Sequence, residues 1–318
     1  MKLGFYQPHL CLRGTTVALF EYAKYNQSLL SNESVVFYDK NDHRNDKTII
    51  DKFINEEIKI EPIDSATDLD DSLMDNDCAA VHIIKGGSND NFLPRFTPSL
   101  IHIINMRPPS DAHGDVFAYS SEWMSQALSD NKVPFVPYII DLPDIDGDLR
   151  KDLGIPKEGV VLGRTGGLDT WNIPWSSPTI SSVLNKRKDL WFVFQNTPEF
   201  INHNRVKFIE STGDINKKVQ FINTCDGMIH ARQEGESFGV ACGEFSIKNK
   251  PVITYGGSPE QNHLFVLKKS AFVYNDSVEL ENILLNFHPD PEKRFDEYNI
   301  FSPEKVMKKF DEVFIKGI

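Results

Sequence analysis

Two carboxylates, Glu236 and Glu244, stand with seven residues between them in the run Glu236-Ser-Phe-Gly-Val-Ala-Cys-Gly-Glu244. An ionised carboxylate offers two acceptor oxygens and can hold a pair of sugar hydroxyls. One such group on a loop and one on the helix that follows can reach a single ligand. The surrounding stretch, HARQEGESFGVACGEFSIKNKPVITYGGSPE (230–260), predicts this arrangement. It begins at the end of a strand, DGMIH, passes through a polar turn, enters a helix over 238–248 and ends in the strand PVITY. A helix N-terminus presents unpaired N–H groups and a positive dipole end, which suits phosphate. Phe238, Gly239 and Val240 would supply those amides, and Gly239 lets backbone approach a ligand closely.

Other chemistry-bearing residues lie at predicted strand ends. Arg164 follows a strand in the Gly-rich VVLGRTGGLD (160–169). Arg232, four residues before Glu236, can grip a phosphate bidentately or pair with a neighbouring glutamate. Gly14 and Thr15, in Arg13-Gly-Thr-Thr16, open the first helix. His113 sits in the polar loop PPSDAHGD, and Lys85-Gly86-Gly87 ends another strand. His82 and His102, inside apolar strands, read as core, and Trp171 and Trp175 read as packing. RGTT matches neither GxxxxGK[ST] nor GxGxxG, so a P-loop and a dinucleotide oxidoreductase are disfavoured. Asp68-Leu69-Asp70 spells DxD but lies in a polar stretch away from a strand end and reads as a solvated face. No metal site is expected.

The elements that must position these groups alternate in type. Short, nearly continuous apolar runs suit strands buried on both faces of a parallel sheet. In the first half they are 2–6, 34–38, 79–84, 99–104, 115–120 and 134–139. In the second they are 160–164, 190–195, 206–210, 226–230, 251–255 and 271–274. Helical stretches between them, such as 176–187, 215–224 and 258–268, complete βαβ units. The stretch 140–158 is rich in acidic residues, proline and glycine. It predicts a linker near 145, dividing the chain into domains 1–145 and 146–318. The end of the chain, with Ser302 as N-cap, Pro303 at the first helical position and an apolar stripe of Val306, Phe310, Val313 and Phe314, is expected to close the second domain as a helix.

The 318 residues are 40% hydrophobic and 25% charged, an ordinary globular composition of one or two domains at ~100–200 residues each. Thirty-four basic against 46 acidic residues give a net charge of −12. That balance argues against a nucleic-acid binder and against docking on anionic membrane. Cys11, Cys78, Cys225 and Cys242 show no metal-ligand spacing. The N-terminus is too short and polar for a signal peptide, and no apolar run is long enough to span a membrane. A cytoplasmic location is expected, with oligomeric state left open.

The Glu236-to-Glu244 run, followed by Lys250-Pro-Val-Ile-Thr-Tyr-Gly-Gly257, resembles the E-x7-E signature of GT-B glycosyltransferases, closest to the retaining, family-4 type. The resemblance covers 230–260 directly. It implies an α/β, GT-B architecture, two Rossmann-like domains facing across a cleft. It implies sugar transfer from a nucleotide-diphosphate donor to a glycan or small hydroxyl acceptor, with retention and without metal or other cofactor. Glu236 would lie at the donor sugar and Glu244 at the donor ribose. Arg164, with Gly163 and Gly166 around it, would meet the diphosphate. The lysine that accompanies this arginine in the family is replaced, since Asp169 and Thr170 stand in its place, and Arg232 is the candidate substitute. Gly14 and Thr15 would approach donor or acceptor, and His113 matches by position an active-site histidine of the first domain. An epimerase or hydrolase acting on a nucleotide sugar in the same fold, and a non-catalytic nucleotide-sugar-binding module, are the alternatives.

Overall fold

A computed structural model describes residues 1–318. The chain divides into two compact units, one of Met1–Ile139 with Phe301–Ile318, the other of Ile140–Ile300. The division therefore falls at 139/140, and the closing helix expected in the second domain belongs to the first unit.

The first unit contains β1 (Lys2–Tyr6), α1 (Gly14–Ser28), β2 (Glu33–Asp39), α2 (Lys47–Asn55), β3 (Lys59–Ile63), α3 (Leu69–Asp75), β4 (Ala80–Lys85), β5 (Ser99–Ile103), β6 (Val116–Tyr119) and α4 (Glu122–Ser129). The strands form one parallel sheet ordered β3-β2-β1-β4-β5-β6. β4 and β5 are buried at every position, as continuous apolar runs require. The order reverses between β1 and β4, where doubly wound sheets open their ligand crevice. The residue pattern singles out neither α2 nor β3. α2 is N-capped by Asp46, whose side chain accepts from the Thr48 amide. β3 is an edge strand, where Pro62 costs no ladder bond that the sheet needs. The run 134–139 is not a strand. Pro134 and Pro137 have no N–H to donate, and only a bridge between Tyr119 and Phe135 forms.

The second unit contains β7 (Val160–Arg164), α5 (Ser176–Lys186), β8 (Leu190–Gln195), β9 (Val206–Ile209), α6 (Ile215–Thr224), β10 (Gly227–His230), β11 (Gly235–Glu236), α7 (Val240–Ile247), β12 (Val252–Tyr255), β13 (Glu260–Gln261), α8 (Asn262–Leu267), β14 (Phe272–Tyr274) and α9 (Ser277–Asn286). Its main sheet is also parallel, in the order β14-β12-β10-β7-β8-β9, reversing between β10 and β7. β11 and β13 pair separately.

α10 (Pro303–Phe310) returns to the first unit and runs into a π-helical turn, Asp311–Ile315. Ser302 precedes it, but its hydroxyl meets the Glu304 carboxylate at 2.9 Å instead of capping the backbone. Phe310 packs on Phe5, Tyr22 and His82, and Phe314 on His82 and His102. Burying each phenylalanine is worth about 1.5–3 kcal/mol, which explains why the helix docks there.

Candidate functional site

The carboxyl ends of β7 and β10, at the reversal of the second sheet, carry Arg164 and His230. Beyond β10 the chain turns through Arg232 and Glu234 into β11. Gly235 has φ +77°, and a Cβ there would lie 2.0 Å from the Glu260 carbonyl oxygen, so only glycine permits the β11–β13 pairing. That pairing sets the position of Glu236.

Glu236 accepts from His230 Nε2 at 3.0 Å and from Arg232 Nη1 at 3.2 Å. Burial alone would raise its carboxyl. The hydrogen bond from His230 and the charge of Arg232 overcome burial and hold it down to about 2. Glu236 is therefore an ionised acceptor at neutral pH. Behind it, His230 Nδ1 lies 2.9 Å from Thr254 Oγ1, and His263 Nε2 lies 3.0 Å from the same oxygen. Tyr274 donates to the His230 carbonyl at 2.8 Å. Neither His263 nor Thr254 was singled out by its sequence setting. Their link joins residues nine apart on β12 and α8, which no local pattern reveals.

α7 starts four residues after Glu236. Gly239 is its N-cap in the left-handed region, φ +91°, and a Cβ there would press on Tyr298 Oη, Glu236 Cβ and His263 Cβ at 3.1–3.3 Å. No side chain caps α7 and no acidic residue occupies its first turn. Val240 begins the helix, while Phe238 lies before its N-cap. The Phe238 carbonyl is held by Asn262 and by the Tyr298 hydroxyl at 2.7 and 2.9 Å. The helix start thus has no side-chain cap, and the ionised group nearest to it in sequence is Glu236.

Five of the expected site residues have partners or packing that the residue pattern does not specify. Arg164 does not present a free guanidinium. Nη1 donates to the carbonyls of Gln195 and Asn196 and to Thr197 Oγ1, and Nη2 to the Gly167 carbonyl and Thr170 Oγ1. Burial pushes it down to about 10, with Glu236 opposing, so it remains charged and pins two loops together. Gly163 lies inside β7, where a Cβ would meet Cys225 Sγ at 2.3 Å; it is a packing glycine. Gly166 lies in the turn that Arg164 pins, its Cβ position 3.2 Å from Arg164 Nη2. Arg232 pairs with Glu236 and, at 3.8 Å, with Glu234, the alternative its sequence context allowed, and its Nε has no hydrogen-bond partner. His113, in the first unit, is 8% exposed. Its Nδ1 donates to the Asp111 carbonyl at 2.7 Å, leaving Nε2 as an acceptor for Lys85 Nζ at 3.4 Å. Lys85 also holds Asp90 and the Phe92 carbonyl, which gives the Lys85-Gly-Gly loop an anchor.

Glu244 is buried inside α7 and paired with Lys218 of α6. Gly14 and Thr15 open α1, whose N-cap Arg13 makes no side-chain cap bond. A Cβ at Gly14 meets nothing within 4 Å, so glycine is not sterically required there. His82 and His102 are fully buried. Trp171 packs on Phe194 and Phe200, and Trp175 on Tyr255 and Tyr274. Asp68 completes a capping box with Ser65, and Asp70 pairs with Arg95.

No family model matches this chain, and no curated protein sequence matches it. Solved structures do. Anabaena Alr3699/HepE, in complex with UDP-glucose, superposes with a TM-score of 0.75 at 15% identity over 99% of this chain and 100% of that one. A glycosyltransferase from Rickettsia africae gives 0.71 at 13% identity over 99% and 98%. A putative UDP-N-acetylglucosamine 2-epimerase from Listeria monocytogenes gives 0.65 at 11% over 99% and 97%. The fold is that of the GT-B glycosyltransferases: α/β, with two parallel six-stranded sheets.

Proposed function

We propose that this protein is a glycosyltransferase that takes a sugar from a nucleotide-diphosphate donor to a hydroxyl acceptor. One observation carries the reading. An ionised glutamate, Glu236, stands at the switch point of the second sheet, immediately before an uncapped helix start. An acceptor for sugar hydroxyls is thereby set next to a seat for phosphate. HepE, which shares the fold, was crystallised with UDP-glucose.

In this reading the second unit binds the donor. Gly239 and Val240 bring the start of α7 to the diphosphate, and Phe238 shapes the approach. Glu236 takes hydroxyls of the donor sugar, and Glu244 takes the ribose. Arg232 swings between Glu236 and the leaving phosphate, supplying the charge that Asp169 and Thr170 do not. Arg164 keeps the 165–170 turn in place. Catalysis is electrostatic, through stabilisation of the leaving diphosphate, and needs no metal. The acceptor falls to the first unit, with Gly14, Thr15 and His113. Retention of configuration is proposed from the family-4 resemblance.

The test is a thermal-shift and turnover screen with UDP, GDP, ADP and their sugar conjugates, with chelator and with divalent metal. Ligand at about a hundred times its Kd stabilises the folded state by ~2.7 kcal/mol. A metal-independent shift with one diphosphate, and release of that diphosphate only when an acceptor pool is added, supports the transferase. Acceptor-independent epimerisation or hydrolysis would replace it with the epimerase or hydrolase reading. Binding without turnover that survives Glu236→Gln would replace it with a binding module.

A further inference from the structure

The chain of groups behind Glu236 is buried, directional and open at one end only. His263 and Thr254 have no exposure, His230 has 5%, and the Glu236 side chain has 20%. The carboxylate can only accept, so His230 Nε2–H donates to it. One assignment then satisfies the rest: Thr254 donates to His230 Nδ1, and His263 Nε2–H donates to Thr254 Oγ1. His263 Nδ1 is left as a buried acceptor with no hydrogen-bond partner. Leaving such an atom unpaired costs ~1–3 kcal/mol. An apolar residue on α8 would avoid that cost, so the chain is not accounted for by stability.

We infer that His230, Thr254 and His263 are positioning residues that hold Glu236 in one rotamer as an acceptor-only carboxylate for the donor sugar. His230 and Thr254 lie opposite each other in the β10–β12 register, which fixes their spacing by backbone pairing alone. His263 comes from α8, directly after β13, the strand that pairs with Glu236. Two backbone pairings and three hydrogen bonds therefore converge on one carboxylate. In this assignment the contribution of Glu236 is orientation of bound hydroxyls. This assignment rests on the donor-sugar role proposed for Glu236.

The other groups around Glu236 are Arg232 and Arg164, which favour its charge, and Glu234 and Glu260, which oppose it. Cys242 and Tyr298 also face it and stay protonated, since burial raises both. Arg232 alone does not replace His230, because it approaches the other carboxylate oxygen.

The experiment compares Thr254→Val, Thr254→Ser and His230→Gln with the wild-type protein in two readouts. The first is donor turnover. Thr254→Val should lower kcat about tenfold with the Kd for UDP unchanged, and Thr254→Ser should restore it. The second is independent of activity: the carboxyl 13C resonance of Glu236, assigned with Glu236→Gln. It should stay at the ionised position at pH 5 and above in the wild type and titrate above pH 5 in His230→Gln. Wild-type kcat in Thr254→Val, or equal losses of kcat and UDP affinity that serine does not restore, would overturn the positioning role. An unchanged 13C titration in His230→Gln would overturn the chain itself. If the wild type neither binds UDP nor turns over a donor while the titration shifts as described, the donor reading fails and the chain stands. Should Thr254→Val fail to fold, His230→Gln carries both readouts.

Discussion

Lys218 Nζ lies 2.7 Å from Glu244 Oε1, joining α6 to α7 across 26 residues of sequence. Glu244 is 6% exposed, so its carboxylate has exchanged water for one ammonium. Removing one partner of such a pair strands a buried charge, which costs more than the pair itself contributes. Lys218→Met should therefore lower stability by about 1–3 kcal/mol, less than a fully buried pair would lose, because the Lys218 side chain is 21% exposed. On the ribose role proposed for Glu244, the variant should also bind UDP about tenfold more weakly, while binding of 2′-deoxy-UDP changes less. Calorimetric titration of both nucleotides checks this, and equal losses for the two would separate Lys218 from the ribose.

Arg164 gives a second prediction. Its five donor contacts tie the 165–170 turn to 195–197. Lysine cannot reproduce the planar fork and alanine leaves those acceptors unpaired. Arg164→Ala should cost about 2–4 kcal/mol of stability and more than tenfold in turnover, at least ~1.4 kcal/mol of barrier. Arg164→Lys should recover little of either. Hydrogen exchange of the 165–170 amides should rise in step with the loss; unchanged protection would mean that Arg164 is not what orders the turn.

Gly235 gives a third. Its left-handed backbone and the 2.0 Å approach of the Glu260 carbonyl leave no room for a methyl group. Gly235→Ala should break the β11–β13 pair and displace Glu236, abolishing turnover while the six-stranded sheets persist. Circular dichroism near that of the wild type, with donor turnover down at least a hundredfold, is the expected result; active Gly235→Ala would sever the link between the strand pair and the site.

What the residue pattern revealed and what it concealed divide along physical lines. Strands such as β4 and β8 are apolar at nearly every position because helices cover both faces, and that imprint is local. The Glu236–Glu244 region was legible because strand, turn glycines and helix follow one another without a break. β3 escaped notice because an edge strand tolerates Lys59, Glu61 and Pro62, and 134–139 misled because apolar composition outweighed its two prolines. The ties of Glu244 to Lys218, of His113 to Lys85 and of His230 to Thr254 and His263 join residues distant in sequence. The return of α10 to the first unit likewise depends on which surface receives Phe310 and Phe314, which their helical stripe cannot tell.

That surface makes the last prediction. His102 Nε2–H donates to the Val136 carbonyl at 2.8 Å, so its Nδ1 accepts from His82 Nε2–H at 3.2 Å, and His82 Nδ1 has no hydrogen-bond partner. Phe5, Tyr22, Tyr138, Phe310 and Phe314 surround the two rings and bring no charge. Burial lowers His102 to about 4 and His82 well below its usual value of 6.5. A histidine whose folded value is depressed takes its proton first in the unfolded chain. Stability is therefore complete above pH 6.5 and falls as pH drops below it, by about 1.4 kcal/mol per unit for each ring until its folded value is reached. By pH 4.5 His102 alone should remove ~2.5 kcal/mol, before most carboxylates titrate, and His82 adds to that loss in the same direction. His263, lowered to about 3 mainly by burial, adds the same slope in the second unit. Thermal unfolding from pH 7.5 to 4.5 should show the midpoint dropping from pH 6.5 downward, and His82→Phe, which fills the aromatic pocket without a titrating nitrogen, should flatten that slope. An equal slope in wild type and His82→Phe would mean that the acid sensitivity originates outside the seat of α10.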